Sequence, residues 1–341
     1  MISAKKVPIE KGVEPLIEQI VGLHFRARRE AARRNLLLFP LVTIGTPGRH
    51  EKRKAGWVIS RGTARNLARW PGEFDEVPLE DLLSFRLGVS VVVRNDASAQ
   101  MAYGIEELLR HPRSANVIKG KRVSYLGLGT GLGGGFATVS KRGRISLKTD
   151  GHVGNILMEP FTFHEKRMGY QLKVKVTRKK AVFKFQADSM ERNLVFRLSL
   201  NRPLEVQDLL SGPGWHSPQT GLSAGGGQVM KALARFEGEV LFRLIQALHE
   251  GRVRKAKPWL KWSKADCHFV KNVRTFLVGG GLSANKYFMR NMFDKFQERW
   301  ADEGCRPVTF LTIINNAWAG ALGTGSFVEP DILRRAVACL P

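Results

Sequence analysis

Two rhythms of apolar and polar positions run along the chain, one of helical period and one of strand period. Glu10 to Arg34 carries apolar residues at Val13, Leu16, Ile17, Ile20, Val21 and Leu23, a spacing that predicts a helix with a basic far end. Leu36 to Ile44, LLLFPLVTI, is apolar throughout and ends in GTPG (Gly45 to Gly48), which predicts a buried strand and a turn where Pro47 presets φ. GWVISRGTARNLARWPG then reads as a short strand and a polar loop holding Asn66 and Trp70, and Pro78 to Phe85 as a helix. Val89 to Val93 is a second buried strand; it stops at Arg94, Asn95 and Asp96, where a small-residue helix begins. The densest pattern is Val123 to Val139, VSYLGLGTGLGGGFATV: an apolar run, glycines that can adopt positive φ, and a second apolar run, hence a hairpin with a backbone-lined tip.

Further on, Tyr170 to Phe185 alternates Leu and Val with Lys and Gln, which predicts strands with one basic, solvated face. Leu210 to Gln228 is a glycine- and proline-rich loop, long enough to lie over a cleft, and Ala232 to His249 has the period of a core helix. Thr275 to Asn285, TFLVGGGLSAN, is an apolar strand ending in glycines and opening a helix, KYFMRNMFDKFQERW.

Composition narrows the class. A chain of 341 residues, 43% hydrophobic, suffices for two domains with sizeable cores and is neither fibrous nor disordered. Cys267, Cys305 and Cys339 are few, far apart and free of any CxxC, so neither a disulfide framework nor a zinc site is expected, and the reading is a reduced, cytoplasmic protein. MISAKKVPIEKG lacks the apolar core of a signal peptide, and no run of about 18 apolar residues is present to span a bilayer, so no membrane partner is expected. The net charge of +25 attracts polyanions, but the basic residues are spread from HFRARREAARR to VTRKK; a nucleic-acid partner is compatible with the charge and not favoured by it.

Three stretches carry candidate chemistry. Thr130 lies among Gly129, Gly131 and Gly133, so a hydroxyl and several unobstructed backbone N–H groups could face an anion, as a nest does for phosphate. A dinucleotide loop fits less well, because that fingerprint opens a helix. Asp96, at the end of a buried strand, has two readings: a cap for the helix it begins, or a base that takes a proton from a substrate hydroxyl. Gly279, Gly280 and Gly281 stand between strand and helix, where a backbone can lie flat against a nucleobase or ribose. His152, His164, His216 and His268 share no spacing suited to a metal, and no metal ligand is assigned.

The order GTPG, VVVRNDASAQ, LGLGTGLGGGFATV, FLVGGGLSAN resembles the ROK-family sugar kinases of the actin-like ATPase (hexokinase-like) superfamily, over Val13 to Gly325. The resemblance implies an α/β, two-lobed actin-like ATPase (ribonuclease H-like) fold with a central cleft and a truncated N-terminal lobe. Residues 1–112 would form the acceptor-side lobe, with 320–341 returning to it, and 113–319 the nucleotide-side lobe. It implies Asp96 as the catalytic base, Asn66 and Asn95 as sugar-binding residues, Gly129, Thr130 and Gly131 as the second phosphate loop, and Gly279 to Gly281 as the adenosine loop. ATP and Mg2+ are the implied cofactors, a carbohydrate-like small molecule the implied partner, and a homodimer is left open.

The departures matter as much. The family's first phosphate loop, of Asp-x-Gly-Gly-Thr type, has no counterpart in the sequence, and its cysteine-rich zinc motif is missing. Its sugar-binding Glu-x-Gly-His falls on Asn155, Ile156, Leu157 and Met158, so carboxylate and imidazole are both replaced, while Gly151 and Gly154 keep the turn. Two functions follow: ATP-dependent phosphoryl transfer to a carbohydrate-type hydroxyl with an altered acceptor site, or a catalytically impaired kinase-fold protein that binds a polyanion. No helix-turn-helix precedes the domain, which weakens a DNA-repressor form of the second.

Overall fold

The computed structural model describes residues 9–54, 56–64, 66–129, 131–149, 152–188, 194–210, 226–253, 262–313 and 323–338. The chain divides into two compact units: unit 1 is Met1–Glu106 with Asn316–Pro341, and unit 2 is Glu107–Asn315. Among the described residues no helix is long and apolar enough to cross a membrane.

Unit 1 begins with α1 (Val13–Arg33), whose apolar stripe puts Leu16 and Ile17 into the core. β1 (Leu41–Thr46) pairs in parallel with β4 (Ser90–Asn95), from Leu41 opposite Ser90 to Thr46 opposite Asn95. β2 (His50–Arg53) and β3 (Gly56–Ile59) form a separate antiparallel hairpin. α2 (Leu79–Leu87) buries Leu79, Leu83 and Leu87 with Val91 and Val93 of β4, and α3 (Asp96–Arg110) continues straight from β4. The expected strand over Leu36 to Ile44 begins later than its apolar run. Pro40 has no N–H to give to a ladder, so β1 starts at Leu41, and Leu36 to Phe39 are exposed.

Unit 2 is built on two sheets. After α4 (Pro112–Ile118), β5 (Arg122–Leu128), β6 (Leu132–Val139) and β7 (Ile145–Thr149) make an antiparallel meander. β12 (Thr275–Gly279) adds in parallel to β5, and β13 (Thr309–Thr312) in parallel to β12, giving the order β13-β12-β5-β6-β7. The second sheet, order β11-β10-β9-β8, is antiparallel throughout: β8 (Phe161–Arg167), β9 (Tyr170–Val176), β10 (Lys180–Ala187) and β11 (Leu194–Ser199). The alternation read over Tyr170 to Phe185 is therefore the middle hairpin of a four-stranded sheet. Its inner face packs on α5 (Gly226–Glu250), where Phe236 meets the rings of Phe161, Phe163 and Phe183. α6 (Lys264–Lys271) precedes β12, and α7 (Lys286–Asp302) packs along α5. In unit 1, α8 (Pro330–Ala338) comes last.

One buried polar cluster ties the second sheet to α5. Arg235 on α5 donates to Glu165 of β8 at 2.5 Å and to Glu298 of α7 at 2.5 Å, and the Tyr170 hydroxyl donates to the same Glu165 at 2.8 Å. Burial first, and then that bond to a carboxylate, raise the Tyr170 phenol above its ordinary pKa. A buried ion pair of this kind adds little net stability, because desolvation offsets most of the Coulomb gain.

The glycines of the hairpin are not there for left-handed backbone, contrary to the expectation from sequence: Gly127, Gly129, Gly131 and Gly133 to Gly135 all lack positive φ. Gly127 and Gly134 provide close approach instead. A Cβ on Gly134 would collide with Val153, one on Gly154 with the Leu132 carbonyl, and one on Gly127 would lie 2.9 Å from the Tyr125 hydroxyl. Gly134→Ala should therefore lower stability by about 1–3 kcal/mol through overpacking, read as a shifted urea midpoint at unchanged slope.

Candidate functional site

In unit 1 the functional candidates collect around the GTPG turn. β4 ends in a firmly held segment: Arg94, 5% exposed, donates to Glu80 at 2.5 Å and stacks 4.1 Å from the Trp57 ring centroid, while Glu80 also accepts from the Val93 N–H at 2.9 Å. The next residue, Asn95, is 8% exposed and uses both ends of its amide: Oδ1 accepts from the Ser98 N–H at 3.0 Å, and Nδ2 donates to the Gly48 carbonyl at 2.7 Å. The Ser98 bond makes Asn95 the N-cap of α3. This corrects the cap reading of Asp96, which is the first helical residue and accepts from the N–H of its own neighbour, Ala97, at 2.8 Å. Asp96 is half-buried, and as a first-turn acid it sits where the helix dipole favours a negative charge.

The same turn reaches the GTARNL loop. The Arg49 N–H donates to Thr63 Oγ1 at 3.0 Å, and Gly48, at φ +103°, lies so close to the loop that a Cβ there would sit 3.1 Å from the Ala64 methyl. Asn66, two residues on, is exposed. Asn95 and the loop of Asn66 are thus both held at Gly48 and Arg49, and Asp96 follows Asn95 directly.

In unit 2 the two glycine stretches are brought together by strand pairing. β5 and β12 run in parallel with Gly127 opposite Gly279, so both chains leave the sheet at the same edge. The Tyr125 ring lies beneath them; its hydroxyl would be 2.9 Å from a Cβ on either Gly127 or Gly279. Gly280, at φ +92°, presses against the Leu128 backbone so tightly that no Cβ fits. Beyond this contact there is room among the described residues: a Cβ on Gly281 would meet none of them within 4 Å, and one on Gly131 would first meet Gln207 Oε1 at 3.4 Å. Gly281 also opens a short 3-10 turn, Gly281–Ala284, after which Asn285 caps α7 by accepting from the Phe288 N–H at 3.0 Å.

The nest expected at the hairpin tip is smaller than the sequence suggested. The Gly129 N–H donates to the Gly131 carbonyl at 3.0 Å, closing the turn, and Gly133 pairs with Gly127 inside the ladder. Thr130 lies outside the described residues, as do residues 211–225 of the loop expected over the cleft.

Asn155 has acquired an internal partner. It ends the 3-10 turn Val153–Asn155, and its Nδ2 donates to Glu205 Oε2 at 3.0 Å; Gln207 Nε2 donates to the same oxygen at 2.5 Å. Leu157 pairs with Glu205 in an antiparallel bridge flanked by Met158 N–H to the Leu204 carbonyl at 3.0 Å and Val206 N–H to the Ile156 carbonyl at 2.8 Å. Met158 is buried at 7%. Sequence reading missed Glu205, a carboxylate 3% exposed, because its one signal was a charge between Leu204 and Val206, and a strand alternation places such a charge outside as readily as inside. Among the described residues no group of three or more His, Cys, Asp or Glu could hold a metal ion.

No protein-family model matches the chain, and no curated protein matches it by sequence. Solved structures do match. The ROK hexokinase from Thermus thermophilus superposes with a TM-score of 0.52 at 19% identity, covering 94% of this chain and 87% of that one. The chain has the fold of the ROK proteins. A ROK-family glucokinase from Streptomyces griseus, solved with glucose and AMPPNP, matches with a TM-score of 0.50 at 19% identity, covering 96% and 91% of the two chains. A ROK-family transcriptional regulator, a homolog of the E. coli MLC protein, matches with a TM-score of 0.55 at 13% identity, covering 99% of this chain and 75% of that one. Kinases and a regulator share this fold, so the fold alone does not choose between them.

Because Asn95 caps α3 and holds the GTPG turn at once, Asn95→Ala should cost about 0.5–2 kcal/mol for the cap, with a further loss for the stranded Gly48 carbonyl. Thermal unfolding measures it, and an unchanged Tm would show that the Asn95 bonds contribute nothing.

Proposed function

We propose that the protein transfers a phosphoryl group from ATP to a carbohydrate-type hydroxyl. The observation that carries this reading is the packing of Gly280 on the Leu128 backbone, which sets two backbone-lined turns side by side at one sheet edge, with space beside Gly131 and Gly281 that no described residue fills. Gly129 and Gly131, with Thr130 between them, take the phosphates; Gly279, Gly280 and Gly281 take the adenosine. ATP would supply the γ-phosphoryl group, and magnesium bound with it would supply charge neutralisation. Asp96 is the base that accepts the acceptor's hydroxyl proton, its carboxylate oriented by the Ala97 N–H. Asn95 positions Asp96 and the GTPG turn, and Asn66 offers an exposed amide to the sugar.

A second reading, a kinase-fold protein that binds without turnover, is favoured by the loop around Asn155. Its amide is held by Glu205, and Leu157 and Met158 have no side-chain groups that bind a sugar hydroxyl well. Each hydroxyl left unpaired in a buried site costs about 1–3 kcal/mol. Weak or no turnover of glucose, mannose and N-acetyl sugars is expected, with the acceptor carrying an apolar or anionic group on that side. The basic charge makes the anionic one the better choice.

Asp96→Asn should leave the Tm within a degree or two and abolish phosphoryl transfer, because the amide oxygen can still accept from Ala97 while the base is gone. Unfolding of the variant with surviving turnover would return Asp96 to a structural role. Calorimetric titration with AMPPNP and magnesium separates the two readings from a third: no nucleotide affinity would remove the ATPase-like site altogether. A screen of free and phosphorylated sugars decides the acceptor, and robust turnover of plain glucose would show that the Asn155 loop is not limiting.

A further inference from the structure

The outer face of the β11-β10-β9-β8 sheet carries a charge pattern that folding does not require. Inward positions are buried and apolar on β9 and β10 and partly buried on β11 at Phe196 and Leu198; on β8 they are Phe161, Phe163, Glu165, which is committed to Arg235 and Tyr170, and Arg167, exposed at the strand end. Glu165 is also the one carboxylate in the four strands, so the outward positions contain no acid. They present Lys166, Lys173, Lys175, Lys184 and Arg197, all exposed and, among the described residues, without an ion-pair partner. Register sharpens the point: Lys173 stands directly opposite Lys184, and Lys175 next to them shares Val182 with Arg197 as a cross-strand neighbour. Like charges directly opposite on a sheet are destabilising, so the pattern costs stability that a merely solvated face would avoid. Arg178, Lys179 and Lys180 extend the patch at the β9–β10 turn.

We infer that this face docks on the backbone of duplex DNA. Cations two residues apart on one strand are about 6.7 Å apart and neighbouring strands about 4.8 Å, so the face offers a grid of point charges roughly 14 Å wide to a polymer of regularly spaced phosphates. Four of the five are lysines, compact charges that meet single phosphate oxygens rather than reading base edges. The remaining outward positions include Thr162, Gln171, Val182, Gln186 and Val195 and no Phe, Tyr or Trp, so the face lacks the stacking platform that single strands use. The binding is independent of sequence and steep in salt.

The test is fluorescence anisotropy of the full chain with a labelled 20-base-pair DNA of arbitrary sequence between 50 and 200 mM salt. Five phosphate contacts give a slope of log K against log salt of about −4.5, a loss of about 500-fold over that range. The triple variant Lys173→Gln, Lys175→Gln, Lys184→Gln should flatten the slope to about −1.8, a loss of about 12-fold. A control with the same change in net charge, Arg26→Gln, Arg28→Gln, Arg29→Gln on exposed positions of α1, should bind as the parent does. Lys184→Gln alone relieves the pair with Lys173; it should lower the slope magnitude by about 0.9 with a Tm no lower than the parent's. No binding by the parent at 50 mM salt, equal losses in the triple variant and the control, or tighter binding of single-stranded DNA or of inorganic polyphosphate than of the duplex would each overturn the inference.

Discussion

The constraint on which unit 2 depends is the missing Cβ. β5 and β12 lie side by side in parallel, and each leaves the sheet through glycine with the Tyr125 ring wedged beneath. Any side chain at Gly127 or Gly279 would strike that ring, and any at Gly280 would strike the Leu128 backbone. Close packing leaves no slack to absorb such a group, so the two turns stand together only while these positions stay bare. The same device recurs one layer away, where Gly134 and Gly154 let the Val153–Asn155 turn lie against β6. Backbone surfaces made this way can serve a ligand because their polar groups are fixed before the ligand arrives.

Unit 1 solves its local problem with hydrogen bonds. The end of a buried parallel strand leaves polar groups that must be satisfied, and here one side chain, Asn95, answers both the first turn of α3 and the Gly48 carbonyl. Asp96 is thereby relieved of capping and keeps its carboxylate beside a helix N-terminus. The two neighbours thus divide the polar work, Asn95 capping the helix and holding Gly48, Asp96 accepting from the N–H of Ala97.

The Asn155 loop is held by its own chain. The turn is kept, paired to Leu204 and Val206 by backbone bonds, yet the amide that could meet a sugar is turned to Glu205, and Met158 is in the core. The charged outer face of the second sheet is the converse case: Lys166, Lys173, Lys175, Lys184 and Arg197 form no ion pair among the described residues.

The order of strands, helices and glycine runs was legible in the residues, because apolar periodicity and the backbone demands of turns act over a few neighbouring positions: α1, β4, the Val123 to Val139 hairpin, α5 and β12 all stand where their patterns put them. The resemblance to ROK proteins rested on the same local signals, and the shared fold agrees with it. What the chain could not reveal is whatever depends on a partner distant in sequence. Asn95 rather than Asp96 became the cap because a carbonyl 47 residues away fixed its amide. Gly127 and Gly134 of the hairpin proved to be contact points rather than left-handed turns because Tyr125 and Val153 press on them. Glu205 reached Asn155 from 50 residues away, and Lys173 came to face Lys184 through strand register. Local rules choose the elements; the cost of burying polar atoms unpaired and of overlapping atoms, paid only in three dimensions, decides which of their side chains meet.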